Sequence, residues 1–484
     1  MILAPSILFP LLAALVVGIF RKANRPLLLV LTALLQSLVS ALLASVVLLP
    51  ETALTLFHAS DKIEIAFRSD GTAKFFCTLV AIGWLFVILY SFVAMQREKN
   101  EPGFYICMFL SEAAVIGAAL STSLVTMFVF CELLTVCSIP LVLHNGSCAS
   151  KRSAIKYLFY SVSGALLVLF GIFALAGIAS TFSFTVGGVG LEALPLTLLA
   201  LFCLVLGFGM RAGLYPLHGW LISASPNAPA PASALLSGLI TKVGVLAIVR
   251  VLYFIAGPAL LKETWVQTAL IVLALISILI GATLAYSEKL LKKRLAYLTV
   301  SRVSYALIGI FLFTADGLKG AFLQIASHTA AQTALLLFAG AVVYLTGETE
   351  TSALCGIRKR MPVTTLSFTV AALSMIGMPP TGGFLSTWTL ASAALEGIPS
   401  PLSYIIPAVL ILSALLTAGA LLSVSVRAFY PGDKINPAFI ESQTKKEPLL
   451  LVLPTVLLAA STVLLGLPAG MTSAIADLIV GTIL

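Results

Sequence analysis

Long apolar runs separated by short polar connections occupy almost the whole of this 484-residue chain. A helix needs about 20 apolar residues to cross a hydrocarbon core near 30 Å thick. Fourteen runs approach or reach that length, so the pattern predicts an all-α polytopic membrane protein with about fourteen transmembrane helices. The predicted segments are 3–20, 27–49, 73–95, 103–120, 122–143, 154–179, 195–215, 230–256, 266–286, 295–314, 319–345, 363–392, 404–430 and 448–469.

Proline and glycine interrupt two of these helices. Pro216 in the first interruption, and Pro379 and Pro380 in the second, are expected to break them, because proline lacks the N–H that a helix needs. Each half of the chain has one break near its fourth helix, which is typical of two inverted five-helix repeats with the transport path at the breaks. The predicted units are 1–102 (helices 1–3), 103–256 (first repeat), 266–430 (second repeat) and 431–484 (a loop and helix 14).

The charge balance supports the membrane assignment. Only 10% of the residues are charged, whereas soluble domains carry about 25%, so there is little room for a soluble domain. Lysine and arginine concentrate in alternate connections, and by the positive-inside rule these connections face the cytoplasm and both termini face outward. We therefore expect a multi-pass protein of the cell inner (plasma) membrane. The net charge of +9 follows from this asymmetry and indicates no nucleic-acid partner.

Several polar stretches near the predicted helix ends favour structural roles. The outer residues 51–71 alternate weakly between polar and apolar side chains, which predicts a short exposed hairpin. Asp70 is expected to close a turn or cap a helix, and Arg250 to lie at the membrane interface. Residues 470–484 are expected to pack along the outer surface. The polar residues 433–447 are expected to form a cytoplasmic loop that can dock a partner.

Two cations interrupt the apolar sequence in the stretch from Gly207 to Arg250. Arg211 and Lys242 each lie in an apolar segment, and a passage rich in proline and glycine separates them. A charge at the bilayer centre costs about 2.5–3.5 kcal/mol on insertion scales, so it requires a partner, water or a function. Broken helices are tolerated in a membrane only inside protein or along a wet cavity. Together these features indicate an ion path.

Two glutamates lie at similar predicted depth on neighbouring helices. Glu112 precedes Thr122, in a tight outer turn, by ten residues, and Glu132 follows it by ten. At 1.5 Å per residue, both carboxylates are about 15 Å deep. We expect Glu132 in the ion path, paired with Arg211. For Glu112 a water-filled path and a helix-packing role explain the sequence almost equally well.

A polar stripe on a later helix extends the candidate site. His328 and Gln332 are four residues apart and therefore share one helix face. A lone histidine on an apolar helix is more often structural, but the neighbouring Gln332 favours a functional role. Arg302, close to the predicted start of its segment, fits a snorkelling side chain and a path residue equally. The histidines and cysteines show no spacing typical of a metal site, and no cofactor-binding pattern is visible.

Six ordered motifs resemble one membrane-protein family. The chain resembles the antiporter-like subunits shared by respiratory complex I (NADH:quinone oxidoreductase), membrane-bound energy-converting hydrogenases and Mrp-type cation/proton antiporters. Its C-terminal part looks nearest to the Mrp D-type and hydrogenase-associated branch. The motifs are FVFCELLTVCS (128–138), IKYLFYSVSGALLVLFG (155–171), GMRAGLYPLHGWLISASPNAPAPASALLSGLITKVGV (209–245), KRLAYLTVSRVSYALIG (293–309), SHTAAQTALLLFAGA (327–341), and GIRKRMPVTTLSF (356–368) through GMPPTGGFLS (377–386).

The resemblance implies a row of charged and polar residues that relays protons through water across the middle of the bilayer. Glu132 matches the family's helix-five glutamate, Lys242 its helix-eight lysine, and His328 a histidine of the central axis. Other positions depart from the family pattern. Arg211, Gln332 and Thr387 replace family lysines, and Ser223 and Ser225 replace an aspartate and a histidine.

These departures change what each position can do. Arginine stays protonated in proteins, whereas a desolvated lysine can release its proton. Arg211 is therefore expected to be a fixed counter-charge and Lys242 the group that switches, with Glu132 or Glu112 nearby.

The resemblance implies a subunit that carries protons, or exchanges them for Na⁺, beside other membrane subunits of an antiporter, hydrogenase or dehydrogenase complex. Redox chemistry would then belong to those partners, with no cofactor in this chain. The alternatives are a degenerate scaffold subunit that conducts no ions, favoured by the lost lysines, and a stand-alone carrier for an organic solute.

Overall fold

A computed structural model describes residues 2–60, 63–397, 401–431, 447–467 and 471–484. Within them, eleven helices are long and apolar enough to cross a membrane. The helices are α1 Leu3–Ile19, α2 Arg25–Leu48, α3 Gly71–Ala94, α4 Glu101–Leu120, α5 Leu124–Leu143, α6 Cys148–Ala176, α7 Pro195–Ala212, α8 Gly219–Asn227, α9 Ala230–Ala256, α10 Pro258–Leu261, α11 Trp265–Ser287, α12 Leu291–Phe311, α13 Ala315–Thr346, α14 Pro362–Ile376, α15 Gly382–Gly397, α16 Leu402–Phe429, α17 Leu449–Leu464 and α18 Met471–Gly481.

The predicted helical membrane architecture is confirmed. The count of fourteen transmembrane helices, the inverted repeats and the four predicted units stay predictions. Of the predicted polar loop 433–447, all but the last residue lies outside the described residues. The segment after 470 forms α18, which packs near α3 and α13, and Lys319 Nζ on α13 lies 2.7 Å from Asp477 Oδ1 on α18.

The two ends of the helix bundle carry different connections. The end with the connections after α1, α3, α5, α11 and α13 holds most of the cations, and we name it the basic face. There Arg97 Nη1 donates to the carbonyl oxygen of Tyr344 at 3.1 Å, and Lys292 Nζ to that of Ala228 at 3.0 Å. The opposite end carries the predicted hairpin, which pairs β1 Ala53–Ser60 with β2 Ile63–Arg68 in antiparallel fashion. We name that end the hairpin face.

A buried ion pair ties the hairpin face together. Asp70 caps α3 by accepting the N–H of Ala73, as expected of a cap residue. It also accepts two hydrogen bonds from Arg250, at 2.6 and 2.7 Å. Burial raises the pKa of Asp70, but the charge and hydrogen bonds of Arg250 outweigh it and hold the pKa below its usual value. The expectation of an interfacial Arg250 is wrong, because Arg250 is only 1% exposed and is neutralised inside the protein.

The two interrupted helices end in the same way. Gly213 follows α7 with φ 85°, and Gly377 follows α14 with φ 91°, a left-handed conformation that glycine adopts without a Cβ clash. After each glycine, the next N–H also turns back to a carbonyl in the last turns of the helix, from Leu214 to Gly209 at 2.8 Å and from Met378 to Leu373 at 3.0 Å. Such a motif closes the helix end.

The chain resumes its helical path a few residues beyond each glycine. A cis peptide bond precedes Pro216 in the first break and Pro380 in the second, in both cases three residues after the glycine. The helices α8 and α15 follow. Both breaks therefore contain irregular backbone inside the bundle, beside Pro216 in the first and Pro379 and Pro380 in the second, the prolines that the sequence predicts to break these helices.

Helix α9 lies at the centre of the bundle. Every residue from Pro231 to Ala256 is buried, and the helix contains two π segments, Leu236–Ile240 and Arg250–Ala256. A Cβ added to Gly244 would lie 2.8 Å from the carbonyl oxygen of Phe208 on α7, and one added to Gly238 would meet Thr333 on α13. The missing side chains let α7 and α13 approach α9 closely from either side.

Candidate functional site

A row of polar side chains, buried except for the part-exposed Glu132, runs from α5 through α7 and α9 to α13. Most of the other buried residues of these helices are apolar. Since α9 touches both α7 and α13, the row follows the order of helix contacts. We name it the polar axis, and it consists of Glu132, Arg211, Lys242, His328 and Gln332.

The axis begins with the pair formed by Glu132 and Arg211. Arg211 Nη2 lies 3.4 Å from Glu132 Oε1 and donates at 2.8 Å to Thr135 Oγ1. The Arg211 side chain is 3% exposed and that of Glu132 is 35% exposed. The expected partnership between these two residues is thus present, with the arginine inside and the carboxylate toward the side of the bundle.

Polar contacts around Arg211 fix the end of α7. Tyr157 OH is 2.9 Å from Ser138 Oγ, and the Tyr157 ring stacks on that of Trp220 with centroids 4.5 Å apart. Trp220 Nε1 then donates at 2.7 Å to the carbonyl oxygen of Met210. This carbonyl lies in the last turn of α7, next to Arg211, so the contact ties α8 to the end of α7 across the break.

Lys242 is a buried cation without an acidic partner. Its Nζ donates to the carbonyl oxygen of Ser237 at 2.7 Å and to Thr241 Oγ1 at 3.2 Å. No carboxylate lies within 4.0 Å of it in the described part of the chain. The expectation that Glu132 or Glu112 lies beside Lys242 is wrong, because Glu132 pairs with Arg211 and Glu112 with Gln36.

His328 and Gln332 continue the axis on α13. His328 is 3% exposed, and its Nε2 has no hydrogen-bond partner among the described residues. Lys242 and Arg302 are close enough to act on it electrostatically. Gln332 Nε2 donates at 3.0 Å to the carbonyl oxygen of Leu295 on α12, while its Oε1 has no described partner.

The depth predicted for Arg302 from the sequence is wrong. The helix starts at Leu291 rather than at 295, so Arg302 lies eleven residues along it and is 2% exposed. Its guanidinium stands 4.4 Å above the ring of Tyr305, and Nε and Nη2 have no described hydrogen-bond partner. The stretch KKRLAY could have indicated the true depth of Arg302, because its basic residues belong to the helix and do not form a loop before it.

Polar contacts extend from Arg302 toward α15. Gln324 Nε2 donates at 3.3 Å to the carbonyl oxygen of Arg302, and Gln324 Oε1 accepts from Ser386 Oγ at 2.7 Å. Neither residue stands out in the sequence, because single glutamines and serines are frequent in helices. Thr387 donates within its own helix, to the carbonyl oxygen of Gly383.

Glu112 lies apart from the axis. It is fully buried on α4, and its Oε1 accepts a hydrogen bond of 2.8 Å from Gln36 Nε2 on α2. No described hydrogen bond or ion pair joins it to Glu132, Arg211 or Lys242. The structure therefore does not bring the two glutamates together, although the sequence places them at similar depth.

A cavity of about 480 Å³ opens at the basic face above the start of α9, beside Lys292 and Pro229. Buried hydroxyl groups lie between this region and Lys242. Ser237 Oγ is 3.4 Å from Ser225 Oγ, and the Ser237 carbonyl accepts from Lys242 Nζ. Ser225 directly precedes Pro226, which lines the cavity. We name Ser225, Ser233, Ser237 and Thr241 the hydroxyl ladder.

The polar axis contains charged groups and polar atoms that can bind water. Buried polar atoms are normally hydrogen-bonded, and the described atoms Arg211 Nη1, His328 Nε2 and Gln332 Oε1 lack protein partners, so each is a position that an ordered water can satisfy. Arg211 is a permanent charge, whereas Lys242 and His328 can exchange protons. Within the described residues, no three or more His, Cys, Asp or Glu side chains are grouped to hold a metal ion.

Comparison with known proteins assigns the chain to a family. The model of the NADH:quinone oxidoreductase/Mrp antiporter transmembrane region matches residues 121–417. Among curated proteins, the N-type subunit of the NADH-quinone oxidoreductase of Desulforudis audaxviator is 32% identical over 82% of this chain and 81% of its own length. The D-type subunit of the Na⁺/H⁺ antiporter of Alkalihalophilus pseudofirmus is 31% identical over 86% and 83%.

A solved structure shows the same fold. A chain of the Mrp complex from Dietzia sp. DQ12-45-1b superposes with a TM-score of 0.85 at 21% identity, over 100% of this chain and 98% of that one. Relatives of both the dehydrogenase and the antiporter type match at similar identity, so the predicted branch stays a prediction. The family model and the two relatives show that this multi-pass membrane protein belongs to the NADH:quinone oxidoreductase/Mrp antiporter family.

Proposed function

We propose that this chain is the antiporter-like subunit of a multisubunit membrane complex, and that it moves protons, or exchanges them for Na⁺, along the polar axis. The observation that carries the proposal is Lys242. A buried lysine without an acid, bound to two neutral acceptors at mid-helix, destabilises the fold and is expected only where the charge serves a function. Family membership supports the class of function, and the buried, acid-free position of Lys242 supports its place in the path.

Protons enter from the basic face, which the positive-inside rule assigns to the cytoplasm of a cell whose plasma membrane holds the protein. Both termini then face outward. The cavity of about 480 Å³ brings water to the start of α9, and the hydroxyl ladder continues from there to Lys242. Hydroxyl groups both donate and accept, so with interspersed water they can pass a proton to the Lys242 amine.

Transfer then runs from Lys242 to His328. His328 lies within electrostatic reach of Lys242 and of the fixed charge of Arg302. Because like charges repel in a poorly screened interior, a proton on Lys242 opposes a second proton on His328. The pair therefore holds one proton more readily than two, and a proton arriving at one position favours release from the other. Gln332 orders water between them without changing its own charge.

The exit leads to the hairpin face. The contact between Gln324 and Ser386 lies beside a second cavity of about 290 Å³, which Leu323 and Leu385 line from the same two helices. Asp316 lines that cavity too and can receive protons near the surface. This route replaces the one through the family lysine at Thr387, whose hydroxyl here is engaged within its own helix.

The partner subunits of the complex are expected beside Glu132. Its side chain is 35% exposed on an apolar side of the bundle, where Val129 and Val136 are 54% and 65% exposed. A carboxylate at this depth is unfavourable against lipid, so a neighbouring membrane subunit covers it. The relatives named above are themselves subunits by name. Redox chemistry, where the complex performs it, belongs to the partners.

The alternatives explain less of the geometry. A scaffold subunit without ion movement has no need of an unpaired buried Lys242 or of hydroxyl groups leading to it. A stand-alone solute carrier conflicts with the exposed face of Glu132. The replacements Arg211, Gln332 and Thr387 remain compatible with transport, because Lys242, His328 and water provide the exchangeable groups.

Proton and Na⁺ flux in vesicles containing the purified complex tests the proposal. In Lys242→Met the side chain keeps its approximate length but loses its charge and its proton, so we expect an assembled complex with flux lost. Lys262→Met is the matched control, because Lys262 is exposed at the hairpin face, and it should transport as the wild type does. Wild-type flux in Lys242→Met would support the scaffold alternative.

A further inference from the structure

Glu112 and Gln36 form an isolated buried polar pair outside the polar axis. Both residues are 0% exposed, and Gln36 Nε2 donates to Glu112 Oε1 at 2.8 Å. The second carboxyl oxygen of Glu112, Oε2, has no hydrogen-bond partner among the described residues, and neither has the amide oxygen of Gln36, Oε1. Two bonded groups therefore each leave one acceptor oxygen unpaired in the interior.

A single proton on Glu112 can satisfy both unpaired oxygens. An ionised carboxylate only accepts hydrogen bonds, and the oxygen of an amide also only accepts. A proton on Glu112 Oε2 turns that oxygen into a donor, and Gln36 Oε1 is the free acceptor on the same partner. The acid and the amide then face each other through two opposed hydrogen bonds, and no buried oxygen of the pair is left unsatisfied.

No cation on the neighbouring elements compensates an ionised Glu112. Helix α1 contains no charged residue. The cation of α2 is Arg25, which bonds Glu101 at the basic face. On α3, Lys74 donates to the carbonyl oxygen of Leu49 at the opposite end, and Arg68 on β2 pairs with Asp70 at that same end. These positive charges are therefore all engaged away from Glu112.

The charged groups on α5 and α9 are engaged as well. Glu132 on α5 faces Arg211, Lys242 on α9 bonds its own helix, and Arg250 bonds Asp70. Among the described residues, Gln36 is the side chain that bonds Glu112. An unpaired carboxylate in an apolar interior is far less stable than the neutral acid, so the surroundings select the protonated form.

We propose that Glu112 is a carboxylic acid whose proton Gln36 holds, and that this acid–amide pair is a fixed link that positions α2 against α4, outside the path of ion transport. Helix α2 is among the least buried of the membrane helices, because only 28% of the residues in its apolar membrane-spanning stretch are buried inside the protein. A polar link in its buried face therefore fixes its rotation more specifically than apolar contacts do. This inference does not depend on the proposed transport function.

Matched glutamine substitutions test the link in the purified complex. Glu112→Gln replaces the acid by a neutral amide that can form the same two hydrogen bonds, so we expect no loss of melting temperature, assembly or proton flux. Glu132→Gln, the control, removes the charge opposite Arg211 and should lower all three. A drop in melting temperature or flux in Glu112→Gln comparable to that in Glu132→Gln would overturn the inference.

Infrared spectroscopy gives a second readout that does not depend on activity. The difference between the wild-type complex and Glu112→Gln should contain the carbonyl band of a protonated carboxyl group, with a deuterium-sensitive position. In Gln36→Leu this band should move to higher frequency, because the carbonyl loses a hydrogen bond. Carboxylate bands in place of the carboxyl band would show an ionised Glu112 and would contradict the proposal, even if Gln36→Leu fails to assemble.

Discussion

Arg211 Nη2 lies 2.8 Å from Thr135 Oγ1 but 3.4 Å from Glu132 Oε1, so the guanidinium is held first by a neutral hydroxyl and more loosely by the carboxylate. Loose pairing leaves the carboxylate free to turn toward a neighbouring subunit. The fixed charge of Arg211 meanwhile stays at the break after α7. Thr135 itself lies 2.7 Å from Ser161 Oγ on α6.

Substitution of Glu132 should weaken assembly and transport. Glu132→Ala leaves Arg211 buried without its anion, which costs about 3–5 kcal/mol for a fully buried pair and less here, since the carboxylate is 35% exposed. Glu132→Asp keeps the charge at shorter reach and should be milder. The yield of intact complex and its ion flux measure both effects, and equal wild-type values in the two variants would remove Glu132 from the axis.

The pair of Asp70 with Arg250 should make stability depend on acidity. The folded-state pKa of Asp70 lies below its ordinary value, so its stabilising contribution is complete above the unfolded pKa and is lost as the pH falls through the folded one. Asp70→Asn should lower stability near neutral pH by about 3–5 kcal/mol. The difference in melting temperature from the wild type should shrink in acid, and a pH-independent difference would contradict the pairing.

The hydroxyl ladder should set the rate of proton entry. Ser237→Ala removes the hydroxyl that faces Ser225 Oγ but keeps the carbonyl that accepts from Lys242. We therefore expect slower proton uptake from the basic face with normal assembly. Ser6→Ala is the control, since Ser6 is also buried and bonds its own helix in α1. Equal uptake in the two variants would place the entry route elsewhere.

The close approach of α7 to α9 should not tolerate a side chain. A methyl group on Gly244 would press on the backbone at Phe208 and Arg211, and overpacking of this kind costs about 1–3 kcal/mol. Gly244→Ala should lower the melting temperature and the flux together. Gly177→Ala, where an added Cβ meets nothing within 4 Å, should change neither. Wild-type behaviour of Gly244→Ala would mean that the two helices can separate without loss.

Sequence periodicity and isolated charges predict the helices, the breaks, the hairpin and the pairing of Arg211 with Glu132, because each depends on local pattern or on the scarcity of charge in a membrane. Contacts between distant elements are not predictable in this way. Gln36 bonds Glu112 across 76 positions and Arg250 bonds Asp70 across 180, and neither pairing leaves a local pattern in the sequence. Arg302 was misplaced for a different reason, since a basic helix start resembles a loop.

Proton flux in vesicles containing the complex with Lys242→Arg is the sharpest test of a proton relay through Lys242. Arginine keeps a positive charge at this position but does not release its proton, so assembly and overall charge are retained while the switch is removed. We expect an intact complex whose proton-coupled transport is abolished, next to normal transport in a Lys262→Arg control. Wild-type transport by the Lys242→Arg complex would contradict a proton relay through Lys242.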